Sequence, residues 1–465
     1  MGGVEISWLR WFVYALVGVP AIIWLITSRN NVMRLLAVMC VIVFIQDLFV
    51  WRRYILSLGI GPSLILGYVA VMGLYFQKRR FASFGTSGLL WMFFIAAAFM
   101  SAIAGSLGTG LIFVNLNLLQ VFYLEGLFFF LLGMMALDDD EEVRRYFFWF
   151  TLVVSFGVAT LHLFQLATGW RPANVELAVA AGNLGQGRID TPGSVFINPN
   201  WLGSFYAMTV PFTLVQVLRG GYTGWRRTAL TIALVTMLIS LLLTTARGGI
   251  IFTFLLSGLA LMLSGFSIGR IFSAGFAIAI LAVAVFLLAA LLLPEFFDRI
   301  TAQYQEEGLE TNRFRTFAIF TQIALDNPLG LGLHPENLKP LKRIYGIKLA
   351  SAHNMYIDMA VKMGLLGLAA FLALLGHILL RNLRALVLTR PDPERYRGFL
   401  YLFLYVSGFA AAGIVEPIYD AGTTLPHMLW LVAGVSYAAT MRALAPVRRP
   451  AVGWQTAVDG RLEHG

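Results

Sequence analysis

Hydrophobic positions along this chain come in long unbroken runs, separated by short clusters of Arg, Lys, Gly and Asn. The runs predict spans at 8–27, 33–51, 58–76, 88–105, 118–136, 146–167, 198–218, 227–245, 249–266, 271–293, 353–380, 399–416 and 424–441. A helix rising 1.5 Å per residue needs about 20 apolar residues to cross a bilayer core. The runs are continuous rather than alternating, which selects helices over barrel strands. The expected fold class is an all-α integral membrane protein with about 12–13 transmembrane helices. It forms one polytopic unit over 1–465, with no internal repeat and no soluble domain. The first run begins a few residues in. Its exit, Thr27-Ser28-Arg29-Asn30, is not a small-residue cleavage site, so no removed signal peptide is expected.

Composition narrows the class further. The chain is 59% hydrophobic and 12% charged, where a soluble domain is about a quarter charged. Mean hydropathy is +0.78. A soluble fold could not bury this much apolar surface. The net charge of +10 would raise nucleic acid as a partner in a soluble protein. Here the arginines fall in short loops, so the charge reads as topology and no nucleic-acid partner is expected. The single cysteine, Cys40, sits in an apolar run, and the six histidines are scattered. Neither pattern predicts a disulfide, a metal site or a cofactor.

Short loops rich in Lys and Arg mark the cytoplasmic side. Lys78 to Arg80, Arg144 and Arg145, Arg219 to Arg227, Arg270, Arg381 to Arg397, and Arg442 to Arg449 all alternate onto one side. The loops at 106–117 and 417–423 carry neither residue. Arg52 and Arg53 break the rule, which leaves the first spans unplaced. An odd span count puts the N-terminus outside and the tail at 445–465 in the cytoplasm. Two long connections, 168–197 and 294–352, then lie on the outer face with the tight turn at 246–248. Long connections in compact proteins are usually functional.

These outer segments hold the candidate chemistry. Arg188 precedes Ser194-Val195-Phe196-Ile197-Asn198-Pro199-Asn200. Asn-Pro favours a turn, and Asn200 is placed to cap the following helix; alternatively, Asn198 and Asn200 line an anion pocket at a helix N-terminus. Arg247, in Thr245-Ala246-Arg247-Gly248, joins two apolar runs with almost no loop between. An arginine at membrane depth is functional by default, unless it snorkels to headgroups. Residues 313–326 read as an amphipathic helix on the outer membrane surface, with Phe314, Phe317, Ala318 and Ile323 available to pack. Asn327-Pro328 stops it, and Leu329-Gly330-Leu331-Gly332 reads as a turn. His353 and Tyr356, three apart at the mouth of a span, are expected on one helical face. His353 is either an interfacial anchor or a group able to act as a base near neutral pH. Arg188, Arg247, Arg313 and His353 together suit a phosphate-bearing substrate met at the outer membrane boundary.

In this order, the four patches resemble the O-antigen ligase and polymerase superfamily of bacterial envelope glycosyltransferases. The resemblance rests on Arg188 to Asn200, then Thr245-Ala246-Arg247-Gly248. It continues with Arg313 and Pro328-Leu329-Gly330-Leu331-Gly332, and closes on His353-Asn354. It covers roughly 185–375. The sequence departs at Phe317, where the family often has Trp, and at Ala246, where it often has Ser; neither change removes a charge. The resemblance implies a polytopic fold of the GT-C-like kind and a metal-independent, inverting transfer in the bacterial inner membrane, at its periplasmic face. The implied donor is a glycan on undecaprenyl diphosphate. The implied acceptor is lipid A core (a ligase), a lipid-linked repeat (a polymerase) or a protein Ser or Thr. His353, Arg247 and Arg313 would be catalytic, with Arg188, Asn198, Asn200, Asn354 and Tyr356 binding substrate. A secondary transporter is the rival from another class. Those usually show paired halves and midplane sites, which the sequence lacks.

Overall fold

The computed structural model describes residues 30–45, 85–107, 109–170, 193–196, 198–273, 313–345, 351–419 and 424–445, with isolated residues at 275, 283 and 287. The spans expected at 8–27 and 58–76, most of 271–293, and Arg188 lie outside them. Every regular element among the described residues is helical. We number them α1 (Asn31–Cys40), α2 (Gly85–Leu107), α3 (Ile112–Ala136), α4 (Asp140–Thr168), α5 (Pro199–Arg219), α6 (Gly224–Leu243), α7 (Arg247–Leu263), α8 (Arg313–Asp326), α9 (Lys339–Tyr345), α10 (Met355–Leu388), α11 (Pro393–Ala412) and α12 (Thr424–Leu444). Six of these, α2 to α6 and α10, are long and apolar enough to cross a membrane. The protein is an all-α polytopic membrane protein.

Helix starts follow local chemistry. Asp139 caps α4 by accepting from Glu142 N–H, and three acids fill the first turn, where the helix dipole favours them. Asp392 caps α11 ahead of Pro393, and Asn198 caps α5 ahead of Pro199. The cap of α5 is therefore Asn198 rather than Asn200. Asn198 Oδ1 accepts from the backbone N–H of Asn200 at 2.9 Å, and Asn200 is already in the first turn. The one-residue shift arises because proline at the first helical position needs no hydrogen bond of its own.

Lipid is as apolar as a leucine side chain, so spans associate through close backbone approach rather than hydrophobic drive. Gly133 of α3 and Gly434 of α12 meet so closely that a Cβ on either would lie 2.0 Å from a carbonyl oxygen of the other helix. Gly203 of α5 and Gly249 of α7 make a similar contact. The interior between α3 and α12 also holds a buried ionisable pair, with His427 Nε2 3.5 Å from Glu125 Oε2.

The bundle has two distinct ends. α4 and α11 begin at the lower end, where Arg395 binds Asp140 and Arg442 Nη1 reaches the Leu137 carbonyl. The arginines at 144, 219, 226, 227 and 395 sit in its connections and helix ends. α5, α7 and α10 begin at the upper end, where Gln165 near the end of α4 donates to the Ser194 carbonyl.

Two features of the second long connection position the site. First, α8 forms where its periodicity predicts, but it buries Thr316, Phe320, Ile323 and Ala324. Phe314 is 88% exposed and Ala318 is also exposed; of the four expected packing residues, only Ile323 is fully buried. The packed stripe is rotated because α8 lies along α10 rather than flat on the bundle. Second, the turn after α8 enters a break in α10. Gly364 has φ 74° and ψ 177°, a region open essentially to glycine alone. Leu331 and Gly332 donate their N–H groups to the Val361 and Lys362 carbonyls, and Leu365 N–H donates to Pro328 O. The broken backbone is thus satisfied by the turn, as membrane depth requires.

Candidate functional site

The candidate residues converge on a short turn that follows α11, Gly413 to Glu416. Met355 N–H donates to Gly413 O at 2.8 Å, and Asn354 Nδ2 donates to Ile414 O at 2.8 Å. Val415 packs on Gly248, where a Cβ would fall 2.5 Å from Val415 Cγ2. Glu416, with only 5% of its side chain exposed, faces Arg313 and His353. Its Oε1 is 3.7 Å from Arg313 Nη2, and its Oε2 is 3.9 Å from His353 Nδ1.

His353 is not on the α10 helix. It has φ 54° and precedes the cap, Asn354, whose Oδ1 accepts from Tyr356 N–H and Ile357 N–H. The shared helical face expected for His353 and Tyr356 therefore does not form. Asp358, in the first turn of α10, reaches back instead. It accepts from Ser351 Oγ at 2.6 Å and from Ala352 N–H at 2.7 Å, and Ser351 Oγ in turn accepts from His353 N–H. This clamp holds His353 in the left-handed region and turns it toward Glu416. Tyr356 points inward, with its hydroxyl donating to Ala410 O at 2.7 Å.

Arg247 is the exposed first residue of α7, at the upper end of the bundle. Arg313 is the first residue of α8. A helix N-terminus carries partial positive charge and free N–H groups, so a cation there is disfavoured and an anion is welcome. Arg247 therefore adds charge where α7 already attracts anions, and Arg313 is the first described residue of α8. Asn198 and Asn200 open α5, which meets α7 through Gly203 and Gly249. Arg247, Arg313, His353 and Asn354 thus surround one turn, with Asn198 and Asn200 beside the α7 start; Arg188 lies outside the described residues.

The backbone around this turn is unusual. Among the described residues, the non-glycine residues at positive φ are Ser194, Thr245 and His353, and all three precede helices that begin at the upper end. Such conformations cluster at ligand sites, where surrounding structure holds them. His353 Nδ1 and Glu416 Oε2 are both buried without a hydrogen-bond partner among the described residues. Their 3.9 Å separation is too long for a hydrogen bond. At the far end of α8, Asp326 accepts from Tyr345 Oη, which raises the phenol above its ordinary pKa. No group of three or more His, Cys, Asp or Glu able to hold a metal occurs among the described residues.

Glu416 and Asp358 are the members that sequence reasoning passed over. Glu416 ends an apolar run, which reads as a span boundary. It is also the only charged residue between Gly398 and Pro417, and that isolation was the available signal.

Residues 232–372 match the family model described as O-antigen ligase. The match takes in Arg247, Arg313, His353 and Asn354, and stops before Glu416. No curated protein matches the chain.

Proposed function

We propose, from the match of residues 232–372 to the O-antigen ligase family model, that the chain transfers a glycan from undecaprenyl diphosphate to an acceptor hydroxyl at the periplasmic face of the inner membrane. The observation that carries this reading is the arrangement at the upper end. Two helices begin on arginine, and a His–Glu pair with unmet hydrogen-bonding atoms lies beside one of them. The arginine-rich lower end supports a cytoplasmic placement of that end and a periplasmic one for the site.

In this mechanism the acceptor oxygen attacks the anomeric carbon as the bond to the lipid diphosphate breaks. The bonding electrons leave with the diphosphate, and the acceptor proton goes to His353. Arg247 and Arg313, with the N–H groups at the start of α7 and α8, stabilise the charge growing on the leaving group. Arg188 joins them by the resemblance. Glu416 orients His353 through Nδ1, and its carboxylate stabilises the imidazolium that forms. A fixed pair of arginines fills the role a divalent cation plays in many sugar transferases, so the transfer is metal-independent. Attack opposite the leaving group inverts the anomeric centre.

The break in α10 is the feature that most favours a transporter, since broken helices there hold ions. The carbonyls it frees at Val361 and Lys362 are taken by Leu331 and Gly332 N–H, which leaves them engaged with protein rather than with a coupling ion.

The test uses purified protein with an undecaprenyl-diphosphate-linked glycan, a chelator and three acceptors: lipid A core, a second lipid-linked repeat and a Ser/Thr peptide. Wild type is expected to transfer to one of them. His353→Ala is expected to lose about 10²–10⁴-fold, the usual worth of a general base. The acceptor used distinguishes ligase, polymerase and protein glycosyltransferase. Full activity in His353→Ala would remove the base from the mechanism, and ion-coupled uptake without transfer would favour the transporter.

A further inference from the structure

The connection between α5 and α6, at the lower end of the bundle, draws together arginines from three helices. Gly221 has φ 74°, which glycine adopts freely, and a Cβ there would lie 3.2 Å from Arg397 Nη1 of α11. The same Nη1 donates to the Arg219 carbonyl. Arg397 Nη2 is 4.0 Å from Glu394 Oε1, and Glu394 Oε2 is 2.7 Å from Arg144 Nη2 of α4. Arg226, in the first turn of α6, places its Cζ 5.9 Å from the centre of the Phe148 ring, and Phe148 is 4.9 Å from the Tyr222 ring. Tyr222 sits among the three. Burial pushes its phenol up, and the guanidinium groups of Arg144, Arg226 and Arg397 oppose that rise.

The charges in this cluster do not balance. Among the described residues, Glu394 is the only carboxylate within 4.0 Å of Arg144, Arg226 or Arg397, and its side chain is 64% exposed. Arg226 lies over the Phe148 and Trp225 rings and has no carboxylate of its own among the described residues. Arg397 Nε is buried there without a hydrogen-bond partner. Guanidinium groups gathered this way repel one another. The start of α6 adds to the same positive field, since its first turn holds no acid and Thr223 makes no side-chain cap. An anion set among the three arginines relieves the repulsion, and the guanidinium fork matches a pair of phosphate oxygens.

Position selects the kind of phosphate. α4 and α6 are both long and apolar enough to cross a membrane, and the cluster lies where they enter it. Trp225, beside Arg226, is exposed, as aromatic side chains are at the boundary between hydrocarbon and headgroups. Ile232, about two turns further along α6 on the same side, is exposed as well. An apolar strip therefore leads from the arginines into the bilayer. A free phosphate would use the arginines alone, whereas a phospholipid uses both.

We propose that Arg144, Arg226 and Arg397 bind the phosphate of an anionic glycerophospholipid, whose acyl chains lie along α6 from Trp225 toward Ile232. The lipid ties the α5–α6 connection to α4 and α11. The proposal requires only that α4 and α6 span a bilayer, so it stands or falls separately from the transfer reading.

Two measurements test it on the full chain. In the first, the protein in detergent is mixed with equal amounts of phosphatidylglycerol and phosphatidylcholine carrying the same acyl chains, and the lipid it retains is counted by native mass spectrometry. Wild type is expected to prefer phosphatidylglycerol about fivefold, the contribution of one arginine beside an anionic headgroup. Arg226→Gln is expected to lose that preference. Arg384→Gln, which removes an exposed arginine of α10 outside the cluster, is expected to keep it. No preference in wild type, a preference that survives Arg226→Gln, or an equal loss in both variants overturns the proposal. Displacement of the lipid by an equal concentration of glycerol 3-phosphate also overturns it, because the site would then take a free anion. The second measurement needs no variant. Phosphatidylglycerol with a photoreactive headgroup is photolysed in phosphatidylcholine bilayers containing the protein, and labelled peptides are mapped. Label is expected to concentrate on 144–149, 219–227 and 393–398. Label spread equally over the arginines at 381–390 overturns the proposal, since it would report attraction to the whole lower face.

Discussion

The two ends of the bundle handle charge in opposite ways. At the lower end, Arg395 Nε is 2.7 Å from Asp140 Oδ2 and Arg144 Nη2 is 2.7 Å from Glu394 Oε2. α4 and α11, which start there, carry acidic caps and acidic first turns, matching their dipoles, whereas α6 starts there with Arg226 and Arg227 and no acid in its first turn. At the upper end, two helices start on arginine, and Glu416 stands 3.7 and 3.9 Å from its partners. The three left-handed non-glycine residues among the described residues are all at this end. The lower end holds short ion pairs, although Arg397 Nε there is also buried without a partner among the described residues. The upper end leaves hydrogen-bonding capacity unmet in a buried pair, which costs stability unless a ligand uses it. That contrast separates ion pairs that hold the fold from groups held ready for something else.

The sharpest way to break the comparison is to remove the Glu416 charge while keeping its shape. Glu416→Gln is expected to lower transfer about 10²-fold, or roughly 2.7 kcal/mol of transition-state stabilisation. The thermal midpoint should stay near wild type, because the ion pairs it removes are long. A large loss of stability with unchanged turnover would place Glu416 with the lower-end pairs and not in the site.

A second test asks whether the upper end is simply badly packed. Around the break in α10 it is not, since each backbone group named there has a partner. Gly364→Ala puts a Cβ 2.3 Å from Pro328 O in a conformation alanine resists. It should destabilise the protein by about 2 kcal/mol, seen as a lower midpoint in detergent unfolding. Little change would mean that the turn is loosely seated.

These regions differ in how far the sequence discloses them. Span positions depend on run length and composition, both local, so α5 and α6 lie within three residues of their expected limits. The candidacy of Arg247 and Arg313 was also legible locally, because each stands at the edge of an apolar or amphipathic run. The break at Gly364 was not visible: the run from 353 to 380 reads as one helix, and it is interrupted only because a turn some 30 residues earlier in the chain docks into it. Glu125 and His427 each sit inside an apolar run, and their pairing spans about 300 residues. His353 was placed on a helix because the backward reach of Asp358 is a tertiary fact. Pairings that only the folded chain brings together decide the site, whereas periodicity decides the scaffold.

The smallest expected effect comes from the lower end. Arg395 is 43% exposed and Asp140 20%, so their bridge is well screened even at 2.7 Å. Surface pairs of this kind contribute about 0–1 kcal/mol. Arg395→Ala also leaves Asp140 a favourable place in the first turn of α4, where the dipole supports it without a partner. The variant should therefore unfold within about 1 kcal/mol of wild type, transfer glycan at the wild-type rate and keep its acceptor preference. If Arg395→Ala instead cut transfer as deeply as Glu416→Gln, then short, satisfied ion pairs would carry function as much as long, unmet ones. The distinction between the two ends would then have to rest on backbone strain alone.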